Sequence, residues 1–388
     1  MTGHVFSAGW EKSIRFNRHL ETPNAGTKPE TGLENPSSFL IQVAVKTDLN
    51  YSSLFVQGSC KVTVEVMVKA RLRLDPWPAD YESPFQIDDF DDAADEKVDN
   101  TVEGIPWQAV PPPKPRPRLE PLHFVDGVRR VEARVIVDDG SGQIIRGLFG
   151  SAAVGAVRVE QEQANFEGIR VVRYLIAGTG RTVEGETLKV GNTELFFEPC
   201  SEPDASPTAP LQCLQNLMRT EEASLAESVS SESACVFADG PLTYFTTFNL
   251  STVGVVKRLF KSYLDAQSFA LVYQLAVGER TPIFAITDGK YDRYSWYLRV
   301  GKPRTMDHAA AGVLRLELRS GVGLSRAIEL ADLSATCIPA FVAESFRDPR
   351  APQNLLPVGS LEQELRHRLG DGLTIRRTIE ESLFASSS

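Results

Sequence analysis

Asp126 and Asp239 sit in matching surroundings. Asp126 follows Phe124 and Val125 and precedes Gly127; Asp239 follows Val236, Phe237 and Ala238 and precedes Gly240. The apolar residues read as buried strands, so each carboxylate would leave the carboxyl end of a strand, where open α/β sheets place ligands. Two carboxylates held close together repel and raise each other's pKa unless a cation lies between them. Their hard oxygens suit Mg2+ or Mn2+. Two such ions can clamp the attacking and leaving oxygens of a phosphodiester. "MRTEE" (residues 218–222) offers a third carboxylate beside the apolar face of a predicted helix. Glu221 reads as nearer the centre of that face and Glu222 as on its edge. A charge beside a core face is costly unless it is paired or bound to metal.

The elements that must position these groups begin near residue 120. "LHFVD", "RVEARVIVD", "QIIRGLFGSAAVGAVRVE" and "IRVVRYLIAG" read as an antiparallel meander, with the glycines of "DDGSG" suited to a hairpin. Helical spacing of Leu211, Leu214, Leu217, Met218 and Leu225 predicts a helix over 210–228. Strand "CVFADG" follows, then a predicted helix "STVGVVKRLFKSYLD" with Ser251 or Thr252 as N-cap. Strands "PIFAIT", "YSWYLRV" and "GVLRLEL" come next, then helix "GLSRAIELADLSA". In a last helix, "SLEQELRHRLGD", Ser360 and Gln363 form a capping box and Gly370 marks the stop. A helix between the meander and the fourth strand demands a crossover and a mixed sheet. This is the order of an RNase H-like domain, an α/β (α+β) fold whose mixed sheet is flanked by helices, with the first strand central and the fourth parallel beside it.

Alternating residues over 38–74 add a β-rich N-terminal extension, and the predicted divisions are 1–75, 76–119 and 120–388. The middle segment is an acidic, proline-rich linker or insertion. Its "PPPKPRP" should be an extended spacer, and its acidic run around Asp88–Asp92 a solvated loop. The chain has 388 residues, 42% of them hydrophobic, with no membrane-length apolar run and no signal-peptide core, so the expectation is cytoplasmic with no membrane. Five scattered cysteines without C-x-x-C fit reduced thiols, and five histidines without H-x-x-x-H argue against zinc hydrolysis. A net charge of −10 speaks against nonspecific coating of nucleic acid, though not against a local basic track. Lys257, Arg258 and Lys261 fall on the predicted second helix, where they could contact a DNA backbone or form a solvated face. Of Arg129 and Arg130, only one can face the site. Glu317 reads as an outward strand residue rather than a fourth ligand, and Asp288 as a turn. No nucleotide-binding or serine-hydrolase motif is present.

Taken together, "FVDG", "MRTEE", "FADGPL" and "VGVVKR" resemble the NurA family of nucleases, over about residues 120–385. The resemblance implies a Mn2+- (or Mg2+-) dependent DNA nuclease with an RNase H-like core. It also implies a homodimer that docks on the hexameric ATPase HerA, a DNA translocase, in DNA end processing or phage defence. It assigns Asp126, Glu222 and Asp239 as catalytic metal ligands, with Glu221 in reserve. Arg129, Lys257 and Arg258 are the DNA contacts expected beside them. The family's C-terminal tyrosine and histidine have no counterpart in "RDPRAPQNLLPVGSLEQELRHRLG", where Arg350, Asn354 or Glu362 could substitute. A docking subunit of a HerA-like ATPase without activity, and a nuclease acting on RNA, are the alternatives.

Overall fold

A computed structural model describes residues 40–47, 50–57, 71–74, 96–114 and 121–385, apart from 141, 161–162, 231–234, 248–249, 260, 288, 290, 306, 345 and 347. The acidic run at 88–92 and Asp288 lie outside the described residues. The chain divides into two units, Met1–Val68 and Lys69–Ser388. In the first, β1 (Leu40–Thr47) and β2 (Asn50–Gln57) pair antiparallel as a hairpin.

The second unit is built on one mixed sheet that joins twelve of the described strands. In chain order these are β3 (Arg71–Leu74), β4 (Lys97–Asp99), β5 (Leu122–Asp138), β6 (Ile145–Glu160), β7 (Gln163–Ala177), β8 (Glu186–Val190) and β9 (Thr193–Ser201). After helix α1 (Ala209–Val229) come β10 (Cys235–Asp239) and β11 (Thr252–Val256), then α2 (Ala266–Gln274). β12 (Phe284–Thr287), β13 (Arg293–Arg299) and β14 (Val313–Arg319) precede α3 (Leu324–Cys337), α4 (Leu356–Arg368) and α5 (Gly372–Ala385). At the centre the order is β7-β6-β5-β10-β11, with β5, β6 and β7 antiparallel and β10 and β11 running parallel to β5. That is the RNase H-like order. Within the segment 76–119, β4 pairs with β12 at the far edge of the sheet.

One face of the sheet is covered by α3 and α4. Phe124 stacks on Phe237 at 5.5 Å there, among Trp296, Leu330 and Leu361. The other face receives α1 through Met218, Ala223 and Ala226 against Val125, Val154 and Val236. A third core lies beyond, where α5 seats Ile375 and Ile379 on Val135, Val137 and Phe149.

The structure corrects four sequence readings. The two strands around Asp126 are one 17-residue strand, β5. A bulge between Val131 and Ala133 inserts Glu132, so that buried even-numbered positions give way to buried Ala133, Val135 and Val137 on the same face. The predicted helix at 251–265 is instead strand β11 followed by a loop. Thr252, Val253 and Val255 are β-branched and buried, and a strand covered on both faces lacks the alternation that would announce it. Helix α4 begins at Leu356 with Leu355 as N-cap, so Ser360 lies inside it and makes no capping box. Gly370 does stand at the stop, with φ +82°, but a further helix, α5, follows it.

Gly254 tests the strand assignment. A methyl group there would meet Gly240 O at 2.8 Å and the Glu317 and Leu242 Cγ atoms at 3.0 Å. In a helix, glycine to alanine stabilises by about 1 kcal/mol. In this strand, Gly254→Ala is expected to destabilise by about 1–3 kcal/mol through overpacking, measured as a lowered urea midpoint.

Candidate active site

Asp126 lies within β5, not at its end. β10 pairs with β5 only as far as Ala238 opposite Val125, so Asp126 and Asp239 emerge together where β10 stops. The two Asp-Gly pairs differ in purpose. Gly240 has φ +84° and makes a true turn. Gly127 is extended strand, and a side chain there would strike Met218 Cγ at 3.1 Å and Val154 at 3.2 Å. Its missing side chain lets α1 approach the sheet closely at the level of Asp126.

Helix α1 thereby brings Glu222 to the site. Glu222 is 3% exposed. Glu221, the reserve, points elsewhere, 3.6 Å from Arg170 at the periphery, which reverses the sequence reading of which glutamate sits deeper. Arg219, one turn before Glu222, donates to Glu222 Oε2 at 3.0 Å and to Asp239 O at 2.8 Å. Sequence reasoning passed over Arg219. Its i,i+3 spacing from a glutamate beside the apolar face was the available signal.

Lys257, one residue past β11, brings Nζ to 2.6 Å from Asp239 Oδ1. It comes from a loop at the strand end, not from a helix. Arg258 beside it is exposed, and Lys261 is turned away to pair with Glu96. Arg129 donates from Nε to Gln215 of α1 at 2.5 Å, while Arg130, on the opposite face, grips Glu132 and the Leu369 and Gly370 carbonyls.

Charge is concentrated at this point. Burial, then the carboxylates of Asp239 and Glu222, hold the Asp126 carboxyl well above its ordinary range, while Gly127 N–H donates to its Oδ1 at 2.8 Å. Burial likewise raises Glu222 from 4.5 to about 7, against the pull of Arg219. Burial works against the Arg219 cation, but Glu222, Asp239 and Asp126 outweigh it and raise its pKa. Glu362 of α4 also acts on Asp126. Glu362 is clasped by Arg350 at 2.6 and 3.0 Å, and Asn354 donates to Asp348 at 2.6 Å, so the C-terminal candidates form a linked cluster.

Glu317 is neither an outward residue nor a member of this site. It is fully buried, takes a hydrogen bond from Leu242 N at 2.9 Å and one from the Tyr291 hydroxyl, and pairs with Arg315 at 2.6 Å.

Among the described residues, no three Asp, Glu, His or Cys side chains converge as a ready metal cage. Asp126, Glu222 and Asp239 are brought into mutual electrostatic contact, and Arg219 and Lys257 supply the positive charge between them. The donor chemistry still fits a hard divalent cation. All three groups are carboxylates, and burial and their mutual repulsion hold the pKa of Asp126 and Glu222 above the ordinary range.

A pH dependence follows. A carboxyl whose pKa is raised in the fold contributes stability that is complete below its unfolded value and is lost as pH rises through its folded value. For Glu222 that window runs from about 4.5 to about 7, and Asp126 acts in the same direction. Metal-free protein is therefore expected to lose stability between pH 5 and pH 8, and Glu222→Gln to flatten that slope, read from urea midpoints in EDTA.

No protein-family model and no curated protein matches the chain. Among solved structures, it is similar to the NurA nuclease from Sulfolobus solfataricus, with TM-score 0.42 and 10% identity over 74% of this chain and 90% of that one. A structure of NurA with manganese gives TM-score 0.18 and 15% identity over 39% of this chain and 26% of that one.

Proposed function

We propose that this chain is a divalent-metal-dependent DNA nuclease that hydrolyses phosphodiester bonds. The observation that carries the reading is the electrostatic coupling of Asp126, Glu222 and Asp239 near the point where β10 ends beside β5, in an RNase H-like strand order. These three side chains would hold Mn2+ or Mg2+. When bound, such ions lower the pKa of a water and neutralise charge developing on the phosphate. Arg219 fixes Glu222 against the end of β10. Lys257 stands beside Asp239, where it can pass from the carboxylate to a phosphate oxygen of the strand, as Lys does at phosphodiester backbones. Arg258 lies exposed next to it, and Arg129 is held by Gln215. The resemblance to the NurA family adds a homodimer and a HerA-type hexameric ATPase to the proposal.

The test is cleavage of labelled single-stranded DNA and matched RNA with Mn2+, with EDTA, and with a HerA-type ATPase added. Metal-dependent cutting of DNA supports the reading; cutting of RNA alone would move the substrate to RNA. A second reading is supported by the ion pairs of Arg219 with Glu222 and of Lys257 with Asp239. A docking subunit without activity would be inert in every arm.

A further inference from the structure

Cys200 and Cys213 stand apart from the site and from each other in sequence, yet their Sγ atoms lie 3.6 Å apart. Cys200 is the penultimate residue of β9, held in register opposite Ile176 of β7. Cys213 sits in the second turn of α1, packed with Leu148, Tyr174, Ile176, Leu211 and Leu214. The two other described cysteines, Cys235 and Cys337, are each 2% exposed inside the main core.

We propose that Cys200 and Cys213 are a modification site, a thiol pair that small-molecule disulfides such as oxidised glutathione convert to an intramolecular disulfide. The two sulfurs are already in contact at 3.6 Å. A disulfide needs them at about 2.05 Å, so roughly 1.5 Å of closure is required. The two thiols also differ in access. Cys200 is half-buried and Cys213 is buried, so the oxidant meets Cys200 first. The hydrogen bond with Cys213 lowers the Cys200 thiol to about 7, which favours the attacking thiolate.

The exchange runs in two steps. Cys200 loses its proton, and its thiolate attacks one sulfur of oxidised glutathione; a Cys200–glutathione disulfide forms, and the expelled glutathione thiolate takes up the proton. Cys213 then loses its proton and attacks Cys200 Sγ. The Cys200–Cys213 bond forms, and the second glutathione leaves as its thiol. Two protein thiols are oxidised and one glutathione disulfide is reduced. The product clips the end of β9 to the start of α1.

The test is equilibration of the full-length protein with oxidised and reduced glutathione, acid quenching, and intact-mass and peptide mapping. A species two hydrogens lighter, with the Cys200 and Cys213 peptides joined, is expected, together with slower amide exchange over residues 201–214. Cys213→Ser is expected to retain a glutathione adduct on Cys200, and Cys200→Ser to take up none at Cys213. A stable adduct on Cys200 of the wild type with no joined peptide would overturn the proposal, as would Cys60 joined to either thiol in place of the pair. No nuclease assay enters these readouts.

Discussion

Asp126→Asn is expected to abolish metal-dependent DNA cleavage while leaving the protein folded, and Asp239→Asn to do the same. Under the proposed function, each substitution removes one oxygen that would hold the metal, at the point where β5 and β10 part. Metal stabilisation of the transition state amounts to several kcal/mol, so the loss is on the order of 10³-fold or more in rate. Folding and activity separate cleanly at Asp126. It is 4% exposed, and burial, then the neighbouring Asp239 and Glu222 carboxylates, raise its pKa well above the ordinary range and so disfavour its charged form. Asparagine has the same shape and no charge, so metal-free Asp126→Asn should match or exceed the wild type in urea at pH 8. Glu221→Gln, by contrast, should cut at close to the wild-type rate. Full activity in Asp126→Asn would remove the carboxylate site from the mechanism.

Glu317→Ala is expected to cost about 3–5 kcal/mol, a large share of the roughly 5–15 kcal/mol by which folded proteins are stable. Glu317 is a shared anion. Arg315 lies 2.6 Å and Arg293 3.6 Å from its Oε2, and both guanidiniums are buried. Their pull overcomes burial and holds the Glu317 carboxyl below its ordinary value. Removing the anion leaves two cations stacked on Tyr263 and Tyr291 with too little counter-charge. It also frees Leu242 N, which anchors the turn after Asp239. Urea unfolding checks this: a change below about 1 kcal/mol would show the network to be redundant. The double variant Arg315→Met with Glu317→Leu should recover much of the loss, because the pair vanishes together.

Much of the centre was legible in the sequence, because the residues that make it are unambiguous. The apolar runs before Asp126 and Asp239, and the helical spacing of Leu211, Leu214 and Met218, are each strong signals, and their order is enough to define an RNase H-like core. What escaped had physical reasons. Thr252–Val256 is apolar throughout because both its faces are covered, and the following Leu259 and Tyr263 happen to continue a helical spacing. Gly127 serves a close approach of α1 that no local signal reveals. Glu317 looked like an outward residue because strand alternation assumes one wet face, and β14 has none. The Ile375, Ile379 and Leu383 stripe of α5 is a helical spacing legible in the sequence, and it seats the helix on the third core. The choice between Glu221 and Glu222 needed the angle of α1 on the sheet, which only packing sets.

The unbroken course of β5 determines where this chain can change length. Its first half is counted in against β10 and β6 and its second against β3 and β6, and each half feeds a different core. The bulge at Glu132 is the joint where the two counts are reconciled. One residue gained or lost between Leu122 and Val131 would turn Asp126 to the opposite face and drive Phe124 or Val128 off theirs. The same change in the hairpin at 139–144 touches neither count. Length variation in β5 is thus expected at its hairpin tip, and the stretch that carries the carboxylate is, in effect, a ruler whose divisions cannot be re-spaced.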